Sequence, residues 1–208
     1  MLNFLNKKKI VPVVFLSGII GDIGGLRKGI TISSVEGLLE KAFKIKNSAS
    51  IAIIINSPGG SPVQSSLIYK RIKKLARAKK SKVIFFVEDV AASGGYYIAC
   101  AGNEIYADEN SIVGSIGVIY ASFGFDKLIK KYGIERRIFT TCKYKSILDS
   151  FQKQKLSDVK KLKSIQMEIF KNFKDVVLKV EVKKLINKVK ISSLEVFGLE
   201  KKRLNWVW

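Results

Sequence analysis

The chain contains no histidine. That absence removes the Ser-His-Asp triad and, with it, the commonest proton acceptor at neutral pH. Cysteine is scarce. Cys100 and Cys142 stand alone, without metal-ligand spacing and without a histidine to join them, which argues against a zinc site or a disulfide scaffold and fits a reducing compartment. No long apolar run is present. The run from Ile10 to Ile20 is broken by Pro12, Ser17 and Gly18 and reaches only about half a membrane span. It reads as a buried first strand rather than a transmembrane helix or the core of a signal peptide. Acidic residues are also few, 17 against 38 Lys and Arg, giving a formal charge of +21. The excess is mostly lysine, in stretches such as "KRIKKLARAKK" (70–80) and "KKLINKVK" (183–190). Arginine is not interleaved with aromatics, and no zinc or helix-turn-helix signature appears, so no specific nucleic-acid partner is indicated. Weak attraction to anionic lipid or nucleic acid follows from charge alone.

What is present is enough for one folded domain. A chain of 208 residues with 47% hydrophobic content can bury a substantial core and is not disordered in character. Strands are expected over Val11–Leu16, Ile51–Ile55, Val83–Val87 and Glu104–Ala107, the second and third so apolar that both faces should be covered. Amphipathic segments lie between them. Ser33-x-x-Glu36 has the form of a capping box before "VEGLLEKAFKI". Pro62 suits the first turn of a helix reaching about Ala78, with Val63, Leu67, Ile68, Ile72 and Leu75 along one side. "FDKLIKKYG" should stop at Gly133. The alternation predicts an α/β domain with a largely parallel sheet. From about Ser157 the apolar residues Leu162, Ile165, Ile169, Phe173, Val176 and Val180 recur at helical spacing, predicting a long lysine-faced helix to about Lys190. Its basic face reads first as a solvated surface, and second as a membrane-surface or partner helix.

Three segments at strand ends could carry chemistry. In "INSPGGS" (55–61), Gly59 and Gly60 permit backbone conformations that turn amide N–H groups toward a ligand oxygen, although Pro-Gly-Gly is also an ordinary turn. In "VAASGGYYIACAG", Ser93 precedes Gly94 and Gly95 and a helix-like stretch, so it is either a helix cap or a nucleophile in a favourable field. The third is "KYKS" (143–146) with Lys145. With histidine absent, lysine is the remaining base able to activate serine. An ordinary lysine has a pKa near ~10.4, and reaching about 7–8 takes roughly 3–4 kcal/mol of destabilisation of the ammonium. The working lysine should therefore be one of the few kept from solvent. Sequence chemistry does not select it among so many.

The combination "NSPGGS", "VEDVAASGGYYIACAGNEIYADENSIVGSIGV" and "KYKSILDSF" resembles the signal peptide peptidase A family, bacterial Ser-Lys proteases with a Clp protease/crotonase-like fold. The resemblance covers approximately residues 10–177. It implies repeated ββα units with parallel sheets, and the long C-terminal amphipathic helix fits it. It implies Ser93 as nucleophile, Lys145 as general base, the N–H groups of Gly60 and Gly94 as the oxyanion hole, and Ser115 as the serine that orients the lysine. The implied reaction is hydrolysis of peptide bonds, in remnant signal peptides or other membrane-derived peptides, through an acyl-enzyme. No metal or organic cofactor is implied. The implied partners are peptide substrates and further copies of the chain, as a tetramer or octamer, with an anionic membrane surface as a candidate through the lysines. The chain then divides into a basic segment (1–9), an α/β peptidase core (10–156), and the long basic helix with an atypical tail (157–208).

Two features depart from the family. Its members commonly carry an N-terminal membrane anchor, whereas here the first strand begins almost at once, which suggests a cytoplasmic protein or one peripheral to the inner membrane. Its members also close the domain with a segment resembling Gly-x-x-Ala-x-x-x-Gly-Leu-Val-Asp, where this chain has "EVFGLEKKRLNWVW". Suitable codons for the last nine residues, read two nucleotides later, spell Lys-Lys-Ala-Leu-Lys-Leu-Gly-Leu. The tail from about Phe197 is accordingly read as a frameshifted, truncated end. Two other functions remain open at this level: a crotonase-like enzyme acting on a thioester, and a catalytically impaired binding or scaffold protein at a membrane surface.

Overall fold

The computed structural model describes residues 10–22, 24, 29–142 and 144–186. The basic segment 1–9 and the tail from Phe197 lie outside them. The described residues form two compact units, one running to Ile116 and resuming at Phe173, the other Gly117–Asn172.

The first unit is built on five strands, all paired in parallel. They are β1 (Val13–Ser17), β2 (Ile51–Ser57), β3 (Val83–Ala92), β4 (Glu104–Ala107) and β5 (Ile112–Gly114), in the order β1-β2-β3-β4, with β5 also against β3. This is the α/β, Clp protease-like arrangement expected. Parallel neighbours need crossover connections. Here these are α1 (Ile32–Lys44), α2 (Pro62–Lys79) and the short α3 (Gly94–Ala99). Val14 and Leu16 of β1, Ile53 and Ile55 of β2, and Phe85 and Val87 of β3 join Leu39 of α1 and Ile68 and Ile72 of α2 in one buried core. Each such side chain withdrawn from water contributes about 1.5–3 kcal/mol.

Coverage is uneven. Phe15 of β1, Phe86 of β3 and Tyr106 of β4 stand in register, with Ile54 of β2 between the first two, and are 63%, 38% and 40% exposed. Thus β2 is nearly continuously buried, as its composition implies, while β3 shows Phe86 on its open side.

Several local expectations are corrected. Helix α1 begins at Ile32, so its cap is Thr31: Thr31 Oγ1 accepts the Ser34 N–H at 3.2 Å, and Ser34 Oγ accepts the Thr31 N–H at 2.9 Å. Glu36, released from the capping role read for it, pairs with Arg71 of α2 at 3.0 Å. On α2 only Ile68 and Ile72 of the anticipated stripe are fully buried. Val63 and Leu67, one turn apart, fall on an exposed side, away from the side that buries Ser65, Ile68 and Ile72.

In the second unit, α4 (Asp126–Lys131) ends in a turn at Gly133, and Phe125 stacks on Phe151 with ring centroids 5.5 Å apart. The long helix, α5 (Leu156–Ile186), forms as its periodicity predicts. In the first unit, its Phe173, Val176 and Val177 pack with Tyr96 and Cys100 of the α3 segment in a second buried cluster.

Candidate functional site

The C-terminal ends of β2 and β3 lie side by side, and two glycine-bearing loops leave the sheet there. A register shift between Ile55 and Ser57 brings Ser57 opposite Ala91, and the Asn56 side-chain amide donates to Asp89 Oδ2 at 2.8 Å across the two strands. β3 runs five residues further than the apolar pattern suggests, delivering Ser93 directly from its end.

Ser93 occupies the N-cap position of α3, yet its side chain makes no capping bond. Its backbone is held at φ 50°, ψ −116°, a region that non-glycine residues rarely occupy. The Ser93 N–H donates to Gly114 C=O at 2.7 Å, and its C=O accepts the Tyr97 N–H at 2.9 Å. The backbone is fixed on both sides while the half-buried hydroxyl is left without a protein partner among the described residues. Of the two roles open to this serine, capping is the one the geometry does not use.

The neighbouring loop is equally constrained. Gly59 and Gly60 have φ of 102° and 145°, conformations that a side chain would strain. A Cβ on Gly59 would stand 2.9 Å from both Ser93 Cβ and Gly94 N, so the loop lies directly against the serine corner. The Gly59 N–H donates to Ser57 Oγ at 3.2 Å, and the Ser61 N–H donates to Ile20 C=O at 2.7 Å. The amide between them, that of Gly60, finds no acceptor among the described residues, and neither does that of Gly94. These two amides are close: a Cβ on Gly94 would lie 3.4 Å from Gly60 N. A free hydroxyl and two free N–H groups therefore share one corner, the donor arrangement that binds a developing oxyanion. Helix α3 has only six residues, so the helix field anticipated at Ser93 is a small term.

Ser115 follows β5 directly, one residue beyond the carbonyl that holds the Ser93 N–H. It is exposed, has φ 54°, and its hydroxyl makes no hydrogen bond among the described residues. Lys145 belongs to the second unit. It lies in a turn, where its N–H donates to Cys142 C=O at 3.2 Å, and its side chain is exposed. The burial that lysine base chemistry requires is not supplied within that unit. A cavity of about 320 Å³ there is lined by Asp126, Ser146, Asp149, Lys153 and Asp158, among others, and does not include Lys145.

The buried serines Ser57 and Ser65, 0% and 1% exposed, went unread as site residues. The signal for Ser57 was present, as a lone hydroxyl closing an otherwise apolar strand. Among the described residues, no group of three or more potential ligands forms a metal site, and no helix is long and apolar enough to cross a membrane.

Two family profiles match the chain. Residues 75–195 match the profile of peptidase family S49, and residues 28–113 match that of Clp protease. The chain is 39% identical over 149 residues to a chloroplastic serine protease SPPA of Arabidopsis thaliana, covering 64% of this chain and 22% of that protein. It is 28% identical over 180 residues to a putative signal peptide peptidase SppA of Enterococcus faecium, covering 84% and 51%. It is also 55% identical over 168 residues to a Brucella melitensis protein named as a Na(+)/H(+) antiporter NhaA, covering 80% of this chain and 23% of that protein. The chain thus spans between about a quarter and a half of the length of these relatives, the antiporter name being that of a much longer protein.

Proposed function

The chain belongs to peptidase family S49, and from that premise we propose that it is a serine endopeptidase working through a Ser93–Lys145 dyad. The observation that carries the proposal is the corner where the Ser93 hydroxyl meets the amides of Gly60 and Gly94, all three without a partner among the described residues. In this reading, neutral Lys145 Nζ takes the Ser93 Oγ proton as Oγ bonds to the substrate carbonyl carbon. The carbonyl oxygen becomes an oxyanion held by the Gly60 and Gly94 N–H groups. Collapse breaks the C–N bond, and the Lys145 ammonium gives its proton to the leaving amine. Water then repeats the cycle on the acyl-enzyme, with Lys145 again as base, and the acid product and free Ser93 are released. Ser115 orients the lysine. The mechanism requires Lys145 to come within hydrogen-bond reach of Ser93 Oγ and to shed its water there, since an exposed ammonium is no base at neutral pH.

The substrates proposed are remnant signal peptides or other membrane-derived peptides, met in the cytoplasm or at the inner membrane surface. The lysine-rich exterior favours anionic lipid there. The working form is proposed to be a homo-oligomer. Parallel sheets are normally covered on both faces, and here Phe15, Phe86 and Tyr106 stay exposed on a region poor in cation, since residues 83–125 contain neither Lys nor Arg. In a chain of such high positive charge this is the surface on which a second copy meets least repulsion. A thioester-acting enzyme would need the glycine donors but no free serine hydroxyl between them. Ser93→Ala and Lys145→Ala are each expected to abolish peptide hydrolysis while leaving the circular dichroism spectrum unchanged. Cleavage retained by purified Lys145→Ala would remove the base assignment.

A further inference from the structure

Ser57 has no assigned part in the reaction, although it is fully buried at the end of β2. A hydroxyl there has to be used, because burying one without a partner is costly. Its Oγ accepts the N–H of Gly59, two residues on, at 3.2 Å. The next contacts along the loop are backbone ones: Gly59 C=O accepts the Ile20 N–H at 2.9 Å, and the Ser61 N–H donates to Ile20 C=O at 2.7 Å. The hydrogen bonds thus engage the amides on either side of Gly60 and, among the described residues, leave that of Gly60 free. Of these anchors, Ser57 Oγ is the one supplied by a side chain.

Ser57 also touches the other half of the corner. A Cβ on Gly95 would fall 2.7 Å from the Ser57 carbonyl oxygen, so Ser57 packs against the backbone next to Gly94. One residue therefore ties the Gly59–Gly60 loop through its side chain and abuts the Ser93–Gly95 turn through its backbone.

We propose that Ser57 is a positioning residue for the oxyanion site, its hydroxyl acting with the Ile20 anchor on Gly59 C=O to fix the direction of the Gly60 N–H relative to the Gly94 N–H. This rests on the reading of Gly60 and Gly94 as the oxyanion donors. Without the Ser57 acceptor the Gly59 amide is released, and the peptide that carries the Gly60 N–H is held only through its own C=O, that of Gly59, to the Ile20 N–H. The loss falls on the transition state, in which the carbonyl oxygen carries charge, and not on the uncharged ground state.

The test uses the full chain with a peptide substrate and a peptide aldehyde inhibitor. Ser93 Oγ adds to the aldehyde carbon, its proton passes to Lys145, and the resulting alkoxide sits where the oxyanion would. Removing one donor outright costs about 10²–10³ in kcat, and a misdirected donor costs less, so Ser57→Ala is expected to lower kcat about 10- to 100-fold. KM should be unchanged, and the aldehyde inhibition constant should rise by the same factor as kcat/KM falls. Ser57→Cys keeps a small buried side chain with a weak acceptor. It should fall between wild type and Ser57→Ala, and it carries the test if the alanine variant does not fold. Wild-type kcat in the variants that fold would overturn the proposal, as would a kcat loss with unchanged aldehyde affinity. Ser93→Ala, run in parallel, separates the two levels. If it retains hydrolysis, the reading of the whole corner fails. If it is inactive while the Ser57 variants are fully active, only the positioning role fails.

Discussion

Gly94→Ala adds a single methyl group at the tightest point of the corner. Gly94 does not have a positive φ, so alanine meets no backbone strain, and its effect is one of space. The new Cβ would approach Ser65 Oγ to 2.4 Å, Ile20 Cδ1 to 3.2 Å and Gly60 N to 3.4 Å. Ser65 has little freedom to yield. It is 1% exposed and its hydroxyl donates to Ser61 C=O at 2.8 Å. Overpacking of this kind costs about 1–3 kcal/mol, offset by at most about 1 kcal/mol for replacing glycine in a helix. A net loss of about 1–2 kcal/mol corresponds to a fall in Tm of about 2–8 °C in a chain of this size. The effect on catalysis should be larger. The methyl occupies the space between the two amides, so the oxyanion loses at least one donor, worth about 10²–10³ in kcat or ~2.7–4 kcal/mol. Thermal melts and steady-state peptide hydrolysis measure the two effects separately. Ser65→Ala combined with Gly94→Ala removes the clashing oxygen and should recover most of the Tm while leaving kcat low. If the double variant recovers wild-type kcat, the methyl acts only through distortion, and the placement of the oxyanion between Gly60 and Gly94 is refuted.

Two further outcomes follow. Tyr69 is half-buried, its ring edge-on to Tyr97 at 5.4 Å, and burial raises its pKa above the usual tyrosine value, with Cys100 and Tyr97 adding and Arg77 opposing. A folded pKa above the unfolded one means that the stabilisation is complete below about pH 10 and is lost as pH rises through the folded value. Denaturant midpoints of Tyr69→Phe should therefore fall less steeply than wild type above about pH 10, and parallel curves would contradict the burial argument. On the open sheet face, Phe15→Asp with Phe86→Asp should lower the sedimentation mass toward that of one chain, whereas an unchanged oligomer would place the contacts elsewhere.

Much of the corner was legible because small residues are conspicuous after apolar strands: "NSPGGS" follows "IAIII" directly, and "AASGG" follows "VIFFV" after Glu88, Asp89 and Val90. Whether Ser93 caps a helix was not legible. The same residues suit either role, and only the backbone at φ 50° with an unused hydroxyl separates them. Thr31, Ser33 and Ser34 are all competent caps, so the start of α1 was misplaced by competition among neighbours, and tertiary packing decided it. Strand β5 has three residues, Ile112–Gly114, too few to show a period, yet it supplies the carbonyl that holds Ser93. Ser57 carried a signal, a lone hydroxyl closing an apolar strand, but its bond to its own loop shows only in the fold. Lys145 differs in kind. The resemblance singled it out, the chemistry asked for burial, and its own unit leaves it in solvent.

The central claim is that Ser93 attacks and Lys145 takes its proton. Its most direct test is the rate and site of acylation by an activated ester, followed by intact mass and peptide mapping in wild type, Ser93→Ala and Lys145→Ala. One acyl group on the peptide containing Ser93 is expected in wild type, none in Ser93→Ala, and a rate lower by about 10²–10⁴ in Lys145→Ala, the usual contribution of a positioned base. An acyl group on another residue, or an undiminished rate in Lys145→Ala, would contradict the account.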